Sequence, residues 1–141
     1  MLVKCLTNNS IGYDGIVMHH QLTPGRLYEV VALDMEMIRL VSDDGWPVLY
    51  ENEIVQLVDD TLPADWVLIL GNQCEVYIGP NEFRHPGFWE SLFDGEPEVI
   101  EVYLKRQDEF FGRNNPTDND PLRYRRFFEE RKMRRPSGAG F

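Results

Sequence analysis

Residues 22–57, LTPGRLYEVVALDMEMIRLVSDDGWPVLYENEIVQL, decide the fold. From Arg26 to Leu33, Leu27, Val31 and Leu33 share one face with Glu29 between them, and Tyr28, Val30 and Ala32 take the other. That period of two is the mark of a β-strand. Pro24-Gly25 before it is turn chemistry, since Pro fixes φ and Gly accepts a positive one. Met37 to Val41 is a second strand, rich in residues that suit a pleated surface. Asp43-Asp44-Gly45 is the strongest hairpin signal in the chain, and Trp46 to Tyr50 the return strand. Pro47 cannot donate to a ladder, which places it at an edge or a strand end. Glu51-Asn52-Glu53 reads as one helical turn, and Ile54 to Val58 as a short closing strand.

Several short stretches together resemble small Src-homology-3-like barrels of bacterial and phage proteins. They are Val3-Lys4-Cys5, then Leu22 through Val30 (LTPGRLYEV), then Asp43-Asp44-Gly45 and Tyr50-Glu51. The resemblance covers residues 1 to about 60. It implies a barrel of about five short strands, a size common among small, partly open barrels. It carries over no catalytic residue.

Outward from that stretch, Asp59-Asp60-Thr61-Leu62-Pro63 marks a boundary. Trp66 to Leu70 and Cys74 to Ile78 form a second hairpin across Gly71-Asn72-Gln73. The first of these runs is apolar on both faces, so cover on both faces is expected. Gly79 to Gly95 is irregular and aromatic-rich, with Trp89, Leu92 and Phe93 at the spacing of a short helical face. Its rings belong mostly to the core, and any exposed subset forms a protein-binding patch.

Pro97 to Phe111 reads as a helix. Pro97 suits the first position, Glu98 the positive end and Gly112 the cap, with Ile100, Tyr103, Leu104, Gln107 and Phe111 on the inner face. Thr7 to Gln21 is a loop long enough to bind something. The fold class is therefore α+β: a barrel over 1–60, then a hairpin, aromatic loop and packed helix over 61–112. Residues 113–141 follow as a polar linker and a basic tail, partly helical or disordered.

The net charge of −10 divides unevenly, with +5 over residues 122–141 and −15 over the rest. An acidic body repels nucleic acid and steers basic partners, or simply keeps the protein soluble. The tail residues Arg123, Arg125, Arg126, Arg131, Lys132, Arg134 and Arg135 are interleaved with Tyr124, Phe127 and Phe128. Such a pattern binds single-stranded nucleic acid, or lies against an acidic surface of its own chain or of a copy. The second reading fits an acidic body better.

The search for chemistry returns little. There is no phosphate-cradling Gly loop and no nucleophile elbow. His19-His20 are adjacent and point apart on regular backbone, which makes a poor chelate. Arg84-His85 sits beside a Pro86-Gly87 turn. Cys5 and Cys74 read as reduced, buried thiols of a cytoplasmic protein. No catalytic residue, metal or cofactor is assigned, and no apolar run is long enough for a membrane span.

The expectation is a non-enzymatic module that binds a basic protein, in the style of a bacterial immunity protein or phage-encoded inhibitor. Phe88 and Trp89 would be its anchor, and Asp43, Asp44, Asp59 and Asp60 its steering charges. The alternative is a scaffold that self-associates through the basic tail.

Overall fold

A computed structural model describes residues 1–12, 14–73, 75–111 and 122–134, with the side chains of Phe110, Phe111, Lys132, Met133 and Arg134 outside that description. Nine strands and three α-helices are present among them. The strands are β1 (Leu2–Cys5), β2 (Asn9–Ile11), β3 (Val17–His19), β4 (Leu27–Asp34), β5 (Met37–Val41), β6 (Pro47–Glu51), β7 (Val55–Asp59), β8 (Val67–Leu70) and β9 (Val76–Gly79). The helices are α1 (Phe88–Phe93), α2 (Pro97–Phe111) and α3 (Arg123–Arg134). The fold is α+β, with antiparallel strand pairing throughout.

The quoted stretch forms the centre, and no helix interrupts residues 26–41. Strand β4 pairs with three others: β1 along Leu27–Glu29, β5 from Val30 onward, and β9 at Leu33 and Asp34. The main order is β6-β5-β4-β1-β7, with β9-β8 branching from β4. Asn52–Ile54 makes a 3-10 turn between β6 and β7, and Pro47 is the first residue of the end strand β6. No ladder joins β6 to β7 among the described residues, so the expected barrel is not closed by hydrogen bonds.

Two cores lie on the two faces of this sheet. One gathers Val3, Cys5, Leu22, Tyr28, Val30, Leu40, Tyr50, Ile54 and Val55 from the strands. The other joins Val31 and Val41 to Phe83, Phe88, Leu92, Ile100, Tyr103, Leu104, Tyr124 and Phe128. Strand β4 is thus covered on both sides. Its alternation breaks at a β-bulge between Val30 and Ala32, after which Leu33 packs against the strand core instead of joining Val31.

One expectation needs correcting here. The apolar run Val67–Leu70 is not sandwiched: β8 pairs only with β9, and Leu68 is 66% exposed, as is Leu70 to a similar degree. The strand covered on both faces is β4, because the chain meets the helices there. The basic segment takes the helical one of its two expected forms. Over its described residues it is helix α3, seated with Tyr124 and Phe128 fully inside the helical core.

Gly45 explains how α3 can approach so closely. Its φ is +98°, and a Cβ there would lie 2.6 Å from Cβ of Phe127 and 2.8 Å from the Arg123 carbonyl. The glycine of the Asp-Asp-Gly turn therefore serves the hairpin and the helix at once. Arg123 reaches from α3 back to that turn, donating to the carbonyls of Val41 (2.7 Å) and Ser42 (2.9 Å). Arg125 pairs with Asp108 of α2 and with Glu129, and Tyr124 donates to Asp108 at 2.6 Å.

Helix α2 presents Ile100, Tyr103, Leu104 and Gln107 inward, as the spacing predicts. Phe111 and the Gly112 cap lie outside the described side chains and residues. Between α2 and the sheet, the Glu29 carboxyl is only 6% exposed, beside Trp66, Pro80, Arg106 and Gln107. Burial pushes its pKa up to about 7, with Asp59 adding to the rise and the amino terminus opposing it.

Candidate protein-binding surface

Residues 7–21, expected as a loop, hold the hairpin β2–β3, which forms a two-stranded sheet of its own. Its pairs are Asn9 with His19, Ser10 with Met18 and Ile11 with Val17. The turn is fixed locally. Gly12 donates to the Ile16 carbonyl at 3.0 Å, Ile16 donates to Asp14 Oδ1 at 3.0 Å, and Gly15 takes φ +78°. The histidines splay as adjacent residues must. His19 Nδ1 bonds Asn9 Oδ1 at 2.6 Å, while His20 Nε2 bonds Ser10 Oγ at 2.8 Å and sets its ring edge-on to Tyr50. The two bonds hold β2 to β3, the ring contact joins the hairpin to the strand core, and the histidines do not converge. No group of three potential metal ligands occurs among the described residues.

What the hairpin leaves outside is apolar. Ile11 is 71% exposed, and Leu6, Ile16, Val17 and Met18 are exposed with it. Beside it runs an open groove of about 440 Å³, lined by Ile11, Gly12, Glu36, Met37, Glu51, Asn52 and Glu53. Three carboxylates thus rim a recess whose neighbouring wall is hydrophobic. The β4–β5 turn adds an exposed Met35 held at φ 57°. A non-glycine residue there stores about 1–2 kcal/mol of strain. Such strain persists only where the surroundings enforce it. Its backbone N–H is pinned to the Val76 carbonyl at 2.7 Å.

The carboxylates singled out from the sequence belong elsewhere. Asp43 is a structural hub: it accepts from Thr23 Oγ1 (2.6 Å) and from the Tyr28 hydroxyl (2.7 Å), with Arg26 at 3.8 Å. Burial and that bond push Tyr28 up to about 12. Asp44 accepts from Ser42 Oγ and the Trp46 N–H, closing its own turn. Asp59 accepts from the Thr61 N–H at 2.9 Å, which lowers its pKa, and Asp60 is exposed beside it. Asp43 and Asp44 sit in a turn, where Asp is favoured by its backbone bonds, and Asp59 and Asp60 at the end of β7.

The aromatic anchor divides. Phe88 lies in the core, stacked on Phe83 with centroids 4.9 Å apart, so it offers no ring to a partner in this fold. Trp89 is half-buried, with the Arg39 guanidinium 3.9 Å above its ring. Arg84 and His85 are exposed on a turn. Of the basic residues, Arg123, Arg125 and Arg131 are engaged with the chain itself and Arg126 is exposed. The Lys132 and Arg134 side chains, and Arg135, lie outside the described part, as does Cys74. The Cys5 thiol is free and buried, and burial raises its pKa, with Asp43 adding to the rise. That opposes the thiolate a nucleophile needs.

The exposed strip on the hairpin was missed in the sequence because its strands have three residues each, between Asn-Asn-Ser and Asp-Gly turn signals. The only available signal was Ile11, Ile16, Val17 and Met18 clustered in an otherwise polar stretch. No protein-family model, curated protein or solved structure matches this chain. No helix among the described residues is long and apolar enough to cross a membrane.

Proposed function

We propose that this chain is a non-enzymatic binding module for a basic protein, engaged at the β2–β3 hairpin and the groove beside it. One observation carries the reading: exposed Ile11, Ile16, Val17 and Met18 adjoin a recess rimmed by Glu36, Glu51 and Glu53. Apolar side chains at the centre supply desolvation energy, while the carboxylates and the overall charge of −10 steer a cationic partner. Blocking or sheltering the basic active surface of such a partner, as immunity proteins and phage inhibitors do, suits that chemistry.

The same reading takes the strand region as a small Src-homology-3-like barrel. Its support is the β4-β5-β6 meander, the 3-10 turn ahead of β7, and the return of β7 to β1. Self-association through the basic segment has less to work with, because Arg123, Arg125 and Arg131 are already bonded within the chain.

The test uses a stoichiometric basic partner recovered with the full chain. Glu36→Lys with Glu53→Lys should slow association, and raising salt to half-molar, where the Debye length is about 4 Å, should slow the native pair likewise. Met18→Asp should instead speed dissociation. An affinity that ignores salt and all three substitutions would remove this surface from consideration.

A further inference from the structure

A second recess lies apart from the hairpin, between the end strand β6 and helix α1. It measures about 420 Å³ and is lined by Arg39, Trp46, Val48, Leu49 and Phe93. That is a size suited to a small organic molecule. Four of its five lining residues are apolar or aromatic, and the fifth is a cation.

The state of that cation is the informative point. Arg39 is only 5% exposed. Its Nη1 donates to the Pro47 carbonyl at 2.7 Å, its Cζ stacks on Trp89, and its Nε is buried without a hydrogen-bond partner. Among the described residues no carboxylate lies within ion-pair distance of it. Burial moves its pKa down only to about 10, so it stays charged at neutral pH. Arg131 repeats the pattern beside it. It lies 4.8 Å over the Trp46 ring and donates to the Phe93 carbonyl at 2.7 Å, and its Nε too is buried and unpartnered.

A buried, unpaired guanidinium is costly, and cation–π contact offsets only part of the loss. Among the described residues neither arginine has a carboxylate within ion-pair distance, and Asp34 and Glu90 act on Arg39 only from farther off. Carboxylate is the group that fits an arginine fork, and the aromatic walls fit an apolar body. We propose that this recess binds an organic carboxylate, its acid group on Arg39 and its apolar body against Trp46, Val48 and Phe93. Either a free acid or the α-carboxylate of a chain ending in an aromatic residue has this chemistry.

The test is a titration of the full chain with 3-phenylpropionate, with acetyl-Gly-Phe, and with the neutral amide of each. The indole N–H signals of Trp46 and Trp89 are followed by NMR, with Trp66 of the strand core as the internal control. The acid form should move Trp46 and Trp89 saturably and bind about tenfold or more tightly than its amide, the expected share of one charge-assisted bond. Arg39→Met, which keeps the stem on Trp89, should erase the difference. Saturation by the phenyl acid assigns a free acid; saturation by the peptide alone assigns a chain terminus. Equal binding of acid and amide, equal movement of Trp66, or no saturation into the millimolar range would overturn the proposal. The native comparison decides even if Arg39→Met does not fold.

Discussion

Helix α3 and the β2–β3 hairpin are both short additions to the same strand scaffold, and they end in opposite conditions. The helix buries Tyr124 and Phe128 completely, and hooks Arg123 and Arg131 onto backbone carbonyls. The hairpin meets the strand core through the edge of His20 on Tyr50 and leaves Ile11, Ile16, Val17 and Met18 in solvent. Apolar content alone does not decide which element becomes core. The helix has a ready-made seat, a sheet face with Val31 and Val41 and a glycine that lets it in. The hairpin extends past the sheet and finds no such face. That exposed apolar strip is why the hairpin is the better place to look for function.

Removing an apolar side chain from each element should separate them most. Phe128→Ala is expected to cost about 3–5 kcal/mol in urea unfolding, the range for a large buried ring. Ile11→Ser should stay within about 0.5 kcal/mol, as exposed sites do. Equal losses would mean that the hairpin is packed after all. The two glycines sharpen the contrast. Gly45→Ala adds a collision with α3 to the left-handed penalty, about 2–4 kcal/mol together. Gly15→Ala meets nothing within 4 Å and pays only the conformational part, about 1 kcal/mol. Thermal melts of the two variants are enough to rank them.

The smallest effect is the most specific to the hairpin side. Met35→Gly relieves about 1–2 kcal/mol of left-handed strain but returns up to about 1 kcal/mol in chain entropy, for a net gain of roughly 0.5 kcal/mol. If Met35 is held for binding, partner affinity should fall while stability rises. A variant that loses both would show Met35 to be a packing residue.

The scaffold was the legible part. Period-two alternation placed β4, residues suited to a pleated surface placed β5 and the Asp-Asp-Gly turn placed β6, while helical spacing with Pro97 placed α2 at the limits it has. Local signals of that kind end where pairing becomes long-range. Nothing in Val67–Leu70 announces that β8 is an edge, because an apolar run looks the same with or without cover. The bulge that turns Leu33 back to the strand core is likewise invisible in the alternation itself. The proposed binding surface was less legible still. Glu36, Glu51 and Glu53 are three among 24 acidic residues, and only the approach of Ile11 and Gly12 to the β4–β5 turn makes them a rim. Asp43 and Asp44 stood out in sequence as turn residues, and each has a local bonding role there.

Glu29 has a consequence for how the chain exchanges matter with its solvent. Its ordinary pKa of 4.5 belongs to the unfolded chain and its value of about 7 to the folded one. Below the first value both states hold the proton, and the stability it contributes is present in full. That contribution drains away as pH rises through the second. In the interval between, folding must draw a hydrogen ion from the buffer, close to one per molecule at about pH 6 from this group. Calorimetry of refolding in two buffers of different ionisation heat should register that uptake, and Glu29→Gln should abolish it. The chain would then act, each time it folds, as a small consumer of acid.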